Sequence, residues 1–275
     1  MNKSKSPAPS QGRTSTWLDR LDRWILFEPA RWPYREYICR LAAVSIIAVF
    51  LGLRLYRFEL FPQYYPDAIK FYGTIKTATG QTLYSPGQIA LLWWTKLAVW
   101  IVETAIYVGY IAAYASRAKA VGIARGFLET WFPVIVAGIP VLMSIMPYSL
   151  PHWAPFNSLR HLYFYIGISA LILLGGSINF IGLLTLRRAF TIMSEARELI
   201  THGIFRYVRH PLYTGHFIMF LGSLLLRLHP ITVGMYVLFF VGQTIRAKIE
   251  ERKLKAAFSA YDAYQRQTGM FFPRL

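Results

Sequence analysis

Two short stretches of the chain gather residues that could do chemistry. The first runs Thr201-His-Gly-Ile-Phe-Arg-Tyr-Val-Arg-His-Pro-Leu-Tyr213 and combines Arg206, Arg209 and His210 with the rings of Phe205, Tyr207 and Tyr213. Gly203 permits a tight turn, and Pro211 suits the first turn of a following helix, where its missing N–H costs nothing. A helix beginning there directs free amide donors and a partial positive charge at the loop, an arrangement able to hold a carboxylate or phosphate. The second stretch is Arg246-Ala-Lys-Ile-Glu250-Glu251. Arg246 and Glu250 lie one helical turn apart on one face. Carboxylates near a bilayer need a cation or a ligand, because an isolated charge is expensive to desolvate. Plainer readings exist for both. Arg206, Arg209 and His210 could anchor the chain to lipid headgroups with Tyr207 and Tyr213 in an aromatic belt. The second stretch could be a solvated helix laced by the pairs Arg246–Glu250 and Glu251–Lys255.

The elements that must position these residues are helices in a membrane. Of 275 residues, 55% are hydrophobic, 16% aromatic and only 16% charged, against roughly 25% charged in soluble domains. Crossing a hydrocarbon core takes roughly 20 apolar residues of helix, because every backbone polar group must pair within the segment. Apolar runs at 38–56, 88–115, 127–147, 161–186, 211–228 and 231–249 meet that need. The expected fold is all-α, a polytopic membrane bundle of about six transmembrane helices with a cytoplasmic C-terminal helix. The last two spans, joined at His229-Pro230, form a hairpin. Leu254, Phe258 and Tyr261 are spaced for one helix face, so the sixth helix is expected to continue past the membrane and pack back on the protein. Three segments follow: 1–37, a cytoplasmic lead with an amphipathic surface helix over Trp17–Ile25; 38–186, four helices forming a substrate-entry scaffold; and 187–275, holding both chemical stretches.

Charge sets the expected orientation. The net charge of +17 comes from Lys and Arg scattered between hydrophobic spans rather than gathered on one basic domain, so nucleic acid is not an expected partner. The Lys and Arg residues fall mainly in the N-terminal lead, the second and fourth connections and the tail, which places both termini in the cytoplasm. No cleavable signal peptide is expected, since the first 37 residues lack an apolar run. A bacterial inner membrane is expected rather than an endoplasmic reticulum, on size and loop style. The aromatic, proline-punctuated segment from Arg57 to Gly87 falls on the opposite side, as a cap, a partner-binding segment or an uncommitted loop. Cys39 is the single cysteine, so no internal disulfide or cysteine-rich metal centre is expected, and no metal site is assigned.

Within the second span Lys96 and Glu103 lie seven residues apart, hence on one face but roughly 10 Å apart along the axis. Separate partners are expected, with Asn179 or Ser177 as candidates, in either a structural or a cavity-lining role. Gly175-Gly176 is expected to permit close helix packing.

Taken together, the Glu-Leu-Ile-Thr-His-Gly run, Phe-Arg-Tyr-Val-Arg-His-Pro-Leu-Tyr, the hairpin, Arg-x-x-x-Glu-Glu and the tail Phe258, Tyr261, Tyr264, Phe272-Pro273 resemble the isoprenylcysteine carboxyl methyltransferase family, with its bacterial relatives and the phospholipid methyltransferases. The likeness covers about residues 185 to 275. It implies an S-adenosylmethionine-dependent methyltransferase whose cofactor site is closed by the loop before the fifth span and by the last helix. By position, Arg197, Glu198, Leu199 and Ile200, with Phe205, His210, Pro211, Leu212 and Tyr213, would line the cofactor. Glu250 and Glu251 would bind its polar end, and Arg246 would face the methyl acceptor as the catalytic residue. Phe205 departs from the family, where a Tyr is common.

The residues are compatible with that chemistry. A sulfonium methyl donor needs chiefly alignment and exclusion of water. A carboxylate acceptor, with a pKa of about 4, is already ionised at neutral pH, and Arg246 could hold it by a charge-assisted contact. An amine or thiol must lose a proton, with Glu250, Glu251 or His210 as candidate bases. The expected acceptor is a lipophilic molecule, a prenyl or isoprenoid carboxylate or other lipid, reached from the membrane. Three alternatives remain: a small thiol or amine acceptor; an NADPH-dependent sterol-type reductase, a group with a similar hairpin but longer chains; and a non-catalytic membrane protein keeping the fold.

Overall fold

The computed structural model describes residues 35–59, 85–118, 120–122, 124, 126–145, 158–226 and 228–274. The expected surface helix at Trp17–Ile25 and most of the 57–87 segment lie outside these residues. The described chain is all-α: α1 (Arg35–Glu59), α2 (Pro86–Ser116), α3 (Phe127–Ile145), α4 (Ser158–Leu186), α5 (Pro211–Leu226), α6 (Pro230–Ala257) and the short α7 (Tyr261–Gln267), with single 3₁₀ turns at Arg187–Ala189 and Gly203–Arg206. Each of the six expected spans coincides with one of the first six helices to within a few residues, except that α6 runs eight residues further.

Three stretches, Pro86–Ser116, Leu162–Ala189 and Pro230–Ala257, are long and apolar enough to cross a membrane, and shorter apolar helices occupy Arg40–Leu53, Phe127–Pro140 and Pro211–Leu226. Exposed Leu, Ile, Val and Phe side chains cover the outer faces of α1 to α6, as a lipid-facing surface requires. The molecule is an α-helical membrane protein.

Local chemistry explains where the helices begin and turn. Ser85 opens α2 with a reciprocal cap to Gln88, and His229 opens α6 by accepting from the Ile231 N–H, followed by Pro230 in the first turn. Gly203, at φ 60°, supplies the left-handed turn that the sequence asked of it. The C-terminal end of α2 is capped by two cations from elsewhere. Arg40 donates to the carbonyls of Ala115 and Arg117 at 3.3 and 3.2 Å, and Arg188 donates to that of Ser116 at 3.1 Å. Both satisfy orphan carbonyls and oppose the negative end of the helix dipole.

The closest helix pair is α4 with α5. A Cβ on Gly175 would come within 2.4 Å of the Met219 backbone nitrogen, and one on Gly215 within 2.5 Å of the Gly175 carbonyl oxygen. These glycines therefore let two backbones touch, the packing role expected of Gly175-Gly176. On the other flank α3 rests on α6, where Val136 fills the space beside Gly242 and Lys253 pairs with Glu129 at 2.7 Å. The core shared by these helices and the segment before α5 includes Tyr114, Leu183, Phe190, Phe205, Phe217 and Phe239.

Two expectations need correction. The sixth helix does not run on through Tyr261: it stops at Ala257, the chain turns, and α7 carries Tyr261 and Tyr264 back as buried residues. Asn179 is not positioned as a partner for Lys96 or Glu103. It is fully buried, accepts from the Tyr110 hydroxyl at 3.4 Å and donates to the Leu212 carbonyl at 3.2 Å.

Candidate active site

The two chemical stretches meet at the end of the bundle, where the loop before α5, the last turns of α6 and the C-terminal tail converge. The tail clasps the loop through its backbone. Arg209 N–H donates to Gly269 O at 2.8 Å and His210 N–H to Met270 O at 3.1 Å. The Thr214 hydroxyl donates to Phe271 O at 2.8 Å. Pro211 begins α5 as expected. Tyr264 lends its hydroxyl to the Phe205 carbonyl at 2.7 Å, and burial pushes its phenol up to about 12, so it stays a neutral donor across the physiological range.

The adjacent carboxylates of α6 have different surroundings. Glu251 receives Arg209 Nε at 2.7 Å, His210 Nε2 at 3.3 Å and Gln265 Nε2 at 2.9 Å. Arg209 also donates to the carbonyls of Gln265 and Thr268. Glu251 thus joins the loop, the last helix and the tail. The expected pair Glu251–Lys255 is not what forms: Lys255 lies 3.1 Å from Asp262. Glu250 accepts from the Tyr213 hydroxyl at 2.5 Å and lies 3.6 Å from Arg246 and 3.9 Å from His210 Nδ1. Its side chain keeps 20% of its surface exposed, against 11% for Glu251. His210, stacked on Tyr213 with 5.3 Å between ring centroids, stands between the two carboxylates.

Arg246 is buried. It donates to Gln243 Oε1 at 2.9 Å and to Ile192 O at 2.7 Å, and its guanidinium lies 5.2 Å from the centre of the Tyr213 ring. Its Nε is buried and has no hydrogen-bond partner among the described residues. A charge held this way, with one donor left over, is poised for an acceptor atom from outside the chain.

The remaining residues singled out in the sequence are spread around this junction. Phe205, His210, Pro211, Leu212 and Tyr213 are buried. Leu212 is turned to α4, where it fills the space beside Gly182. Arg197 is buried and paired with Glu195 at 2.6 Å. Leu199 and Ile200 are half-buried and Glu198 is exposed. Arg206 and Tyr207 are exposed, with the guanidinium over the ring at 4.9 Å, as surface anchors would be. An open groove of about 460 Å³ beside Arg209, Gln265 and Thr268 flanks the tail side of the junction.

Sequence reasoning missed the residues that complete the site from a distance. Tyr114 accepts from the Ile192 N–H at 3.0 Å, and the 188–197 segment pairs with the chain after α2 through Gly122 and Ala196. Nothing in local spacing signals a partner more than seventy residues away. Gln243, one turn before Arg246, could have been found by helical spacing.

Residues 163–261 match the family model described as phospholipid methyltransferase. The match begins within α4, before the 187 boundary read from the sequence. Among curated proteins, a protein-S-isoprenylcysteine O-methyltransferase of Tribolium castaneum is 34% identical over 85 residues, 29% of this chain and 29% of that protein. A probable protein-S-isoprenylcysteine O-methyltransferase of Oryza sativa subsp. indica is 28% identical over 127 residues, 43% of this chain and 66% of that protein. The chain therefore spans under a third of the first relative and just under two thirds of the second.

Proposed function

We propose that the protein is an S-adenosylmethionine-dependent methyltransferase acting on a lipophilic acceptor at the cytoplasmic face of a membrane. The observation that carries the reading is the division of labour at the end of α6. Glu251 is consumed by three donors of the protein, whereas Glu250 stays partly open beside a buried arginine whose Nε has no hydrogen-bond partner among the described residues. An amino-acid cofactor with cationic and anionic ends suits that pair: Glu250 would take its cationic or hydroxyl groups, and the rings of Phe205 and Tyr213 would bound its flat portion. Arg197 to Ile200, with His210, Pro211 and Leu212, would complete the lining, Leu212 from its packed position against α4.

Bound S-adenosylmethionine would supply a methyl group already activated by a sulfonium, so the protein's share is alignment and exclusion of water. Arg246 would orient a carboxylate acceptor, ionised above a pKa of about 4, by charge-assisted hydrogen bonds. For an acceptor that must lose a proton, Glu250 and His210 are the available groups, because Glu251 already holds three donors. Residues 38–186 would form the entry scaffold and 187–275, with the end of α4, the catalytic part. The Lys and Arg bias of the connections supports cytoplasmic termini. The bacterial inner membrane expected from loop style draws no support from these relatives, which come from Tribolium castaneum and Oryza sativa.

The test is binding of labelled S-adenosylmethionine to the detergent-purified protein, followed by label transfer to an S-isoprenylcysteine and, separately, to phospholipid vesicles. Saturable binding with transfer to either lipophilic acceptor is the expected result. Absence of binding by folded protein overturns the proposal.

A further inference from the structure

Deeper in the bundle than Arg246 lies a second polar group: Asn179 of α4, Tyr110 of α2 and His216 of α5. Their hydrogen bonds fix one another. Asn179 Nδ2 donates to the Leu212 carbonyl, which orients the amide and leaves Oδ1 toward Tyr110. A carbonyl oxygen can only accept, so the Tyr110 hydroxyl spends its single proton on Asn179 at 3.4 Å. The 3.1 Å contact between the Tyr110 oxygen and His216 Nε2 must then be supplied by a proton on Nε2. In the neutral ring Nδ1 is left as a bare lone pair. That atom is buried and has no hydrogen-bond partner among the described residues.

The ring is fixed on its faces as well. Phe220 stacks at 5.8 Å and Phe239 meets it edge-on at 6.4 Å. His216 lies one turn below Tyr213 on α5, whose ring centre is 5.2 Å from the Arg246 guanidinium. Two buried atoms of opposite sense, the donor Arg246 Nε and the acceptor His216 Nδ1, lie without hydrogen-bond partners among the described residues. Buried polar atoms are costly unless matched. The group that matches His216 Nδ1 is protic, donating an O–H or N–H, as a methyl acceptor that must lose a proton does and an ionised carboxylate does not.

We infer that His216 is a specificity-determining residue: its Nδ1 accepts a hydrogen bond from the protic head group of a lipophilic ligand, with Tyr110 and Asn179 as the positioning residues that hold the tautomer. Treating that ligand as the methyl acceptor rests on the methyltransferase reading; the tautomer and the head-group preference do not. The site selects against a head group of equal size and polarity that lacks the proton, because Nδ1 would then face another lone pair.

The experiment is nitrogen NMR of the full chain, isotope-labelled at histidine and held in detergent without S-adenosylmethionine, with the His216 signals identified through His216→Gln. Dodecanol is the probe and dodecyl methyl ether, which differs by replacing the hydroxyl proton, is its control. The expected result is an unprotonated Nδ1 and a protonated Nε2 in the free protein, with a saturable Nδ1 shift on adding dodecanol and about fivefold weaker binding of the ether, the scale of one neutral hydrogen bond. Tyr110→Phe should mix the two tautomers and reduce the preference for the alcohol. A proton on Nδ1 in the free protein, equal response to alcohol and ether, or no response to either overturns the inference. Failure to bind S-adenosylmethionine falls on the methyltransferase reading alone, since the NMR measurement omits it.

Discussion

The helices before residue 187 and the region after it hold themselves together differently. α1 to α4 meet mainly through apolar faces and glycine contacts; their polar bonds include caps at helix ends, such as Arg40 and Arg188 on the carbonyls closing α2, and the buried Tyr110–Asn179 pair between α2 and α4. Beyond residue 187 the buried side chains include Ser194, Arg197, His210, Gln243, Arg246 and Glu251, and most of the long-range side-chain hydrogen bonds converge on one junction. The contrast has a physical reason. Lipid offers no hydrophobic drive to bring two apolar helices together, so small residues and close packing do it. A polar network out of water must be fully matched to be tolerated, and it then fixes geometry sharply. The first region depends on close packing of small residues, the second on matched polar partners.

The sharpest way to break this contrast is to remove the carboxylate that joins three elements. Glu251→Ala leaves Arg209 and His210 uncompensated, with the Arg209 and Glu251 side chains only 10% and 11% exposed. The expected loss is about 3–5 kcal/mol, read as a drop in thermal midpoint in detergent and faster proteolysis of the tail. A stability change below about 1 kcal/mol would show that the junction is not built on Glu251.

In the apolar region the corresponding test is Gly175→Val. The new Cβ would meet backbone atoms of α5 at 2.4 to 2.5 Å, and backbone cannot yield as a side chain does. About 1–3 kcal/mol of destabilisation follows from such overpacking, with α5 pushed off α4. Gly52→Ala, where nothing lies within 4 Å, should leave the midpoint unmoved or raise it slightly.

Smaller effects sharpen the same contrast. Lys253→Ala removes a partly exposed pair with Glu129 and should cost no more than about 1 kcal/mol. Alkaline titration should first loosen the tail. The Tyr264 phenol is raised from its ordinary value of about 10 to about 12 by burial, so the folded state holds that proton longer than the unfolded chain. Its contribution is complete below about pH 10 and is lost as pH rises toward 12, measurable by tyrosinate absorbance alongside tail proteolysis.

Much of this architecture was legible in the sequence, for reasons tied to particular residues. Apolar runs gave the helices because a membrane leaves the backbone few other solutions, and Gly203, Pro211 and His229-Pro230 marked the turns through their own backbone preferences. The spacing of Arg246 and Glu250 put them on one face, and they lie 3.6 Å apart. What was not legible came from distant pairings. Neighbours in sequence, Glu250 and Glu251 look alike, and only the positions of Arg209, Gln265 and Tyr213 separate them. The turn ending α6 at Ala257 was hidden because Leu254, Phe258 and Tyr261 continue the helical rhythm across it. His216 carried no local signal at all, since its partner Tyr110 is over a hundred residues away.

If these adjacent carboxylates divide structure from ligand binding, paired substitutions separate the two roles. Labelled S-adenosylmethionine binding and thermal midpoint should be measured together for wild type, Glu250→Gln and Glu251→Gln. Glu250→Gln should weaken binding about 10- to 100-fold, as loss of a charge-assisted hydrogen bond does, with the midpoint nearly unchanged, while Glu251→Gln should lower the midpoint first. Full binding by Glu250→Gln, or a collapse of its midpoint equal to that of Glu251→Gln, would overturn that division of roles.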